Sequence, residues 1–231
     1  MNTKMVRYIL CRMLGVEAAL LLVPVLVAVI YQEKCGIVFL IPIVILCLLF
    51  WVAGRKRPEH GQIYGKEGMV IVALAWILWS LFGAMPFTLS GYIPSYVDAF
   101  FETVSGFTTT GSSIIPDVEV LPHCLLFWRS FTHWIGGMGV LVFVLVVTSL
   151  DKKNSMYLMR AEVPGPEKDK LVPKAMSTAR ILYGMYLILT VIEMVFLVIG
   201  GMNLFDSMIF SFGSAGTGGF SNYADSVAHF N

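Results

Sequence analysis

A Thr/Ser/Gly stretch over residues 101–113 lies between two long apolar runs. It is too polar to span a bilayer, and irregular backbone at membrane depth survives only when it is buried in protein or faces water. Small side chains let the backbone of such a stretch approach an ion, and Gly111 permits backbone angles that turn a carbonyl inward. Rings of carbonyl oxygens can replace the hydration shell of a monovalent cation. The chemistry of the stretch is therefore typical of an ion filter, whose candidate residues are Thr108, Thr109, Thr110 and Gly111.

A second copy of the stretch follows 108 residues later, so that Thr109 corresponds to Thr217 and Gly111 to Gly219. In both copies an Asp precedes this glycine by thirteen residues (98 to 111, 206 to 219). Internal repeats decide the architecture, and many transporters are built from them. We therefore predict two paired re-entrant loops, and the second contributes four more candidate residues: Gly216, Thr217, Gly218 and Gly219.

Four ionisable residues lie in or near apolar segments, where such groups are functional hypotheses by default. Arg129 is expected to pair with Glu102 or Asp117 and to brace the first loop. We interpret His133 as a hydrogen-bonded packing residue, because no second His or Cys stands at metal-ligand spacing. The other two are Glu17 and Glu193, whose partners the sequence leaves open. An intramembrane enzyme using His133 and Glu193 is the alternative, although no nucleophile, phosphate-binding or zinc motif accompanies them.

Composition restricts the class of protein. The chain is 57% hydrophobic and 13% charged, with a mean hydropathy of +0.78, which indicates a membrane protein. A net charge of +1 without basic clusters argues against a nucleic-acid partner. Four cysteines show neither metal-ligand spacing nor a disulfide pattern. We expect no enzyme activity and no cofactor.

Hydrophobic runs predict five transmembrane helices and two half-length pore helices. We predict spans at about 9–30, with a kink at Pro24, and at 37–53, 69–90, 123–150 and 181–200; the pore helices cover 95–107 and 204–214. The chain then divides into a leading helix pair with a cytoplasmic loop (1–68), a first pore repeat (69–150), a cytoplasmic connector (151–177) and an incomplete second repeat (178–231). Three glycines inside the fourth span indicate either close packing or a hinge, and packing is favoured: Gly136, Gly137 and Gly139.

Charge placement predicts the orientation. Fourteen of the 16 Lys and Arg residues fall on one predicted side, and only Lys34 and Arg129 do not. This excess marks that side, with the N-terminus, as cytoplasmic. Residues 88–124 and 201–231 contain no Lys or Arg but several Asp and Glu. Both loops are therefore expected to face outward under acidic rims, which raise the local cation concentration.

The motifs at 101–111, 129–139, 160–166 and 216–221 together resemble the TrkH-type potassium-translocating subunits of the Trk/Ktr/HKT transporter superfamily. The resemblance runs in the family's order over nearly the whole chain. It implies an all-α integral membrane protein of the cell inner membrane that takes up potassium through a carbonyl-lined filter. It also implies a homodimer and a cytoplasmic nucleotide-binding regulatory subunit of the TrkA type. Glycine at the filter positions, here Gly111 and Gly219, is linked in this family with potassium over sodium.

The family's pore needs four helix–loop–helix repeats, whereas this sequence supplies one and a half. Residue 231 falls where the inner helix of the second repeat is expected to begin. We therefore expect a fragment of a full pore. The alternative is a non-conducting, truncated or assembly subunit that needs partner chains.

Overall fold

The described part of the chain is helical throughout. The computed structural model describes residues 2–55, 58, 65–139 and 175–230, and no strand occurs among them. The α-helices are α1 (Thr3–Leu20), α2 (Leu22–Ile30), α3 (Leu40–Leu49), α4 (Gly65–Leu89), α5 (Tyr96–Phe107), α6 (His123–Gly137), α7 (Ala175–Ile199) and α8 (Leu204–Ala215). Two 3₁₀ helices at Lys34–Phe39 and Ser226–Phe230 and a π-helical turn at Phe50–Gly54 complete the set.

Four segments are long and apolar enough to cross a bilayer, with mean hydropathies between 2.1 and 3.0. They are Thr3–Ile30, Lys34–Gly54, Lys66–Leu89 and Ile181–Ile199. These four agree with four of the predicted spans. Of the span predicted at 123–150, only α6 lies within the described residues, and the connector predicted at 151–177 is described only from residue 175, where α7 begins. The chain is thus a helical multi-pass membrane protein, and the count of five spans stays a prediction.

The first span is interrupted near its middle. A kink is predicted at Pro24; the helix breaks at Leu21, three residues before this proline. Proline has no N–H for the carbonyl four residues earlier, and its ring collides with that carbonyl. The carbonyl in question belongs to Leu20, the last residue of α1, so the break falls where the proline removes the hydrogen bond.

The two half-length helices confirm the internal repeat. Helices α5 and α8 are related by a shift of 108 at both ends, since Tyr96 corresponds to Leu204 and Phe107 to Ala215. Ser95 and Asn203 cap them in the same way, since each side chain accepts a hydrogen bond from the backbone N–H three residues on. Because the caps are equivalent, α5 and α8 begin at equivalent positions of the two repeats.

The outer helices repeat with a slightly different period. The last residues of α4 and α7, Leu89 and Ile199, lie 110 positions apart. The difference of two residues is taken up between the outer helix and the pore helix, where the first repeat has a longer turn. Gly91 and Gly201 begin these turns with φ of +81° and +101°, conformations that glycine adopts without strain.

Helix α6 packs against both α5 and α8. On one side Trp128 meets Phe107 of α5, with ring centroids 6.1 Å apart, and its indole N–H donates to the carbonyl of Gly83 at 2.9 Å. On the other side Phe131 lies 5.6 Å from the ring of Phe212 in α8. Aromatic packing therefore holds the two pore helices against one common element.

The leading helix pair joins the repeats through a carboxylate. Glu33 accepts hydrogen bonds from the backbone N–H of His123 (2.7 Å) and Cys124 (3.0 Å), and it contacts His123 Nδ1 at 2.9 Å. It thus satisfies the first N–H groups of α6, since Pro122 at the cap position supplies no side-chain bond. Burial raises the pKa of Glu33, but these hydrogen bonds outweigh it and leave the pKa below its ordinary value.

We expect Glu33→Gln to lower the free energy of unfolding at pH 7 by about 1–2 kcal/mol, because the charged cap of α6 is lost. A folded-state pKa below the unfolded value of about 4.3 gives a contribution that is complete above that pH and is lost as the pH falls through the folded pKa. The deficit of the variant should therefore shrink between pH 5 and pH 3 in detergent unfolding experiments. Lys34→Gln, an exposed neighbour, is the control; an undiminished Glu33→Gln deficit at pH 3 would contradict the assignment.

Candidate functional site

The two loops that follow α5 and α8 have the same backbone. Thr109 and Thr217 have φ of +54° and +59°, and Gly111 and Gly219 have φ of +76° and +78°. Left-handed angles are uncommon for threonine, so their recurrence at equivalent positions shows that both loops form one structural motif. The prediction of a repeated loop is confirmed at the level of backbone geometry.

Three N–H groups of each loop bond to the end of the helix that precedes it. Three hydrogen bonds of 2.8–3.0 Å in each loop are equivalent under the shift of 108. The pairs are Thr108 to Val104 with Gly216 to Phe212, Thr109 to Gly106 with Thr217 to Ser214, and Thr110 to Ser105 with Gly218 to Gly213. Among the described residues, no hydrogen bond ends on a carbonyl of 108–111 or 216–219. The loops therefore keep eight carbonyl oxygens available for another partner.

Two threonine hydroxyls of the first loop form hydrogen bonds with each other and with the end of α5. Thr108 donates its hydroxyl proton to the carbonyl of Val104 at 2.7 Å. The hydroxyl oxygens of Thr108 and Thr110 are 2.8 Å apart, and because the Thr108 proton is already used, Thr110 is the donor between them. The backbone carbonyls are consequently the freer oxygen ligands of this loop.

The two loops approach each other at their glycines. A Cβ placed on Gly111 would overlap the carbonyl oxygen of Gly218, whereas a Cβ on Gly219 would meet nothing within 4 Å. Gly218 itself lies against the ring of His133. The structure thus brings the predicted residues Gly111 and Gly218 together and leaves open space beside Gly219.

Glycines on α6 let the loops lie close to that helix. A Cβ on Gly136 would overlap the carbonyl of Phe107, and one on Gly137 would come within 2.8 Å of the Cα of Gly216. These contacts support the packing interpretation of both glycines over the hinge.

A buried ion pair links the two loops. Arg129 Nε donates to Glu102 Oε1 at 2.6 Å, with 4% and 0% of their side chains exposed. Arg129 Nη1 also donates to the carbonyl of Ser221, just after the second loop, at 3.0 Å. Of the two partners predicted for Arg129, Glu102 is confirmed; Asp117 is exposed and accepts from the N–H of Glu119 instead.

Glu102 also holds the segment that leaves the first loop. Its carboxylate accepts from Ser113 Oγ and from the N–H of Ile114, both at 2.9 Å. One carboxylate therefore binds its own loop exit and, through Arg129, the exit of the other loop.

The ring of Phe220 is clamped between two side chains of α6. The guanidinium of Arg129 lies 3.6 Å from its centroid, and the imidazole of His133 stacks on it at 3.8 Å. His133 Nδ1 accepts the N–H of Phe220 at 3.4 Å, which requires a neutral ring with its proton on Nε2. His133 is fully buried, as its interpretation as a packing residue requires. Phe220 escaped the sequence analysis because its equivalent in the first repeat, 108 residues earlier, is Ser112.

In the second repeat, a different carboxylate holds the segment that leaves the loop. Asp206 accepts from Asn222 Nδ2 and from the hydroxyl of Tyr223 at 3.1 Å, two residues that follow the second loop. By number Asp206 matches Asp98, but by function it matches Glu102. The sequence repeat placed the two aspartates correctly and did not indicate this exchange of function.

The remaining ionisable candidates lie apart from the loops. Glu17 is fully buried in α1, and neither of its oxygens has a hydrogen-bond partner among the described residues. Glu193 is half-buried on α7. No described contact joins Glu193 to His133, which is closed off beneath Phe220, and no group of three metal-ligating side chains occurs in the described ranges. The arrangement gives no support to a shared catalytic site.

We expect Glu102→Gln and Arg129→Gln each to lower the free energy of unfolding by about 3–5 kcal/mol, because each leaves a buried partner uncompensated. Removing both should cost at least about 1 kcal/mol less than the sum of the single changes. Unfolding in detergent measures this cycle. Asp117→Asn, the rejected partner, serves as control and should change stability by less than about 0.5 kcal/mol; additive single effects would contradict the pairing.

Comparison with known proteins agrees with this geometry. The TrkH family profile, described as "Cation transport protein", matches residues 36–231. The Trk system potassium uptake protein TrkH of Escherichia coli K12 is 37% identical over 216 residues, covering 91% of this chain and 44% of that protein. TrkG of the same organism is 36% identical, covering 100% of this chain and 49% of that protein.

A solved structure shows the same fold. The crystal structure of the potassium transporter TrkH from Vibrio parahaemolyticus superposes with a TM-score of 0.78 at 30% identity, covering 96% of this chain and 45% of that one. The chain thus spans just under half the length of these relatives. With matching sequence and fold, the chain belongs to the TrkH family of cation transport proteins.

Proposed function

We propose that the chain forms part of a potassium-uptake pore. Ions pass down their electrochemical gradient through a filter whose ligands are the backbone carbonyls of Thr108–Gly111 and Gly216–Gly219. The observation that carries this proposal is the pair of equivalent loops in which three N–H groups each bond to the end of the preceding helix and the described carbonyls of 108–111 and 216–219 accept no hydrogen bond. The relatives named as potassium uptake proteins supply the identity of the ion.

Selectivity in this proposal rests on the cost of removing water from the ion. An ion enters only when the carbonyl oxygens return enough coordination energy to offset its lost hydration. Helices α5 and α8 end at the loops, and the partial negative charge at a helix carboxyl end favours a cation there. Both effects act without a charged side chain in the filter, so an ion can enter and also leave.

We also propose the membrane orientation. The N-terminus lies in the cytoplasm of a cell with the chain in its inner membrane, and the two loops open outward. The distribution of Lys and Arg supports this orientation. Asp and Glu without Lys or Arg in 88–124 and 201–231 support an outer surface that concentrates cations.

The assembly follows from the family. We propose that the complete protein is a homodimer and that a TrkA-type nucleotide-binding subunit contacts its cytoplasmic side. The connector predicted at 151–177 is the candidate contact within this chain.

The glycines of the filter provide the test of selectivity. In the full-length protein reconstituted in liposomes, Gly111→Ser should reduce rubidium-over-sodium selectivity by about tenfold, equivalent to 1.4 kcal/mol. Its added side chain meets the carbonyl of Gly218, which displaces a ligand oxygen of the second loop. Both glycines have nearly equal positive φ, so backbone strain is matched in Gly219→Ser.

Gly219→Ser is therefore the matched control and should have the smaller effect, because its side chain enters open space. Unchanged selectivity in Gly111→Ser would contradict the filter assignment. Absence of rubidium uptake by folded wild-type protein would instead favour the non-conducting alternative.

A further inference from the structure

A cavity of about 480 Å³ lies away from the filter carbonyls, beside the N-terminus of α8. The connection after α2, the residues before α6 and the segment after the second loop meet there. Its polar and aromatic lining includes Tyr31, Glu119, Phe205, Asp206, Asn222 and Tyr223. No Lys or Arg is among the described lining residues. Glu119 and Asp206 bring two carboxylates to the wall, and His123, which also lines the cavity, contacts the carboxylate of Glu33.

Asp206 brings a buried negative charge to the cavity wall. Its side chain is 3% exposed. Its described hydrogen-bond partners are all neutral: Asn203 at 2.7 Å, Tyr223 at 3.1 Å, and Asn222. A buried charge that is held only by neutral donors favours a nearby cation.

Asn222 supplies a second, independent feature. Asn222 is 6% exposed and its Nδ2 donates to Asp206, which fixes the orientation of the amide. Its Oδ1 is buried and has no hydrogen-bond partner in the described part of the chain. A buried acceptor without a donor is uncommon in folded proteins. The Oδ1 atom of Asn222, next to Asp206, therefore lacks a hydrogen-bond donor among the described residues.

The electrostatics of the cavity are negative. Burial raises the pKa of Tyr223, and its hydrogen bond to Asp206 and the nearby charges of Asp206 and Glu119 raise it further. Burial also raises the pKa of Tyr31, to which the charges of Asp206 and Glu33 add. Nearby carboxylate charge thus contributes to the raised pKa of both tyrosines.

The rest of the wall is aromatic and apolar. Tyr31 stacks on His123 with centroids 4.0 Å apart and an interplanar angle of 8°, and Phe205 meets Tyr31 edge-on at 5.4 Å. Leu121, Leu126 and Leu204 complete this side. An apolar wall of this size contributes nothing to an alkali ion, which prefers a shell of oxygen ligands. It does suit the hydrocarbon body of an organic cation.

We propose that this cavity binds a primary organic ammonium with a small apolar body. The ammonium group donates to Asn222 Oδ1 and to the carboxylates of Glu119 and Asp206, and its hydrocarbon part packs against Phe205 and the leucines. The site is separate from the filter and does not require that the filter conduct.

Isothermal titration of the purified full-length protein with benzylammonium tests the proposal, in potassium phosphate buffer at pH 7. Benzyl alcohol, which has the same ring without the charge, should bind at least about tenfold more weakly. Glu119→Gln should weaken benzylammonium about tenfold, and Asn222→Leu should also weaken it. Asp225→Asn removes an exposed carboxylate that does not line the cavity, and it should change the affinity less than twofold.

Several outcomes would overturn the proposal. Among them are the absence of benzylammonium binding by folded wild-type protein, equal binding of the alcohol and the ammonium, and full affinity in both cavity variants. A loss of affinity in proportion to added potassium would place the amine in the filter and would also refute the site. Thermal melting of each variant without ligand separates misfolding from loss of the site.

Discussion

Backbone N–H groups that are shielded from water must find partners within the protein, and the loops after α5 and α8 meet this constraint in the same way. Each loop turns back so that its amides bond to the last carbonyls of its own pore helix. The carbonyls of the loop are then the groups left over. A polypeptide that satisfies its donors and exposes its acceptors is suited to a cation, and the rest of the described structure keeps this arrangement in place.

Helix α6 is the main support. Its glycines allow its backbone to contact the backbone of Phe107 and Gly216. Two of its side chains, Arg129 and His133, pack against the ring of Phe220. Because the same helix contacts the end of α5, where the first loop begins, and the second loop, a displacement of one loop is resisted by the contacts of the other. The protein interior is close-packed, so such contacts have few alternative arrangements.

Backbone and side chains follow the repeat to different degrees. The pore helices, their caps and the left-handed residues coincide under the shift of 108. The supporting side chains do not, since Glu102 with an arginine holds one loop exit and Asp206 with an amide and a phenol holds the other. A repeat can preserve the main-chain hydrogen bonds while each copy finds its own partners, because the main-chain bonds depend little on side-chain identity.

Sequence reasoning was most successful where the signal is local. The helices predicted at 95–107 and 204–214 match α5 and α8 to within one residue, and the scarcity of charge in apolar segments limits the partner of Arg129 to Glu102 or Asp117. The cap that Glu33 gives to α6 joins residues 90 apart, and the clamp on Phe220 joins residues 87 apart. Neither leaves a periodic pattern, and a carboxylate in a turn has many possible partners until the fold selects one.

Crystals of the full-length protein soaked in rubidium would test the central claim most directly. If these loops form the filter, anomalous density lies between them, within coordination distance of the carbonyls of Thr108–Gly111 and Gly216–Gly219. Density that lies only outside this region, or none in crystals that bind rubidium in solution, would contradict the assignment of these carbonyls as the filter.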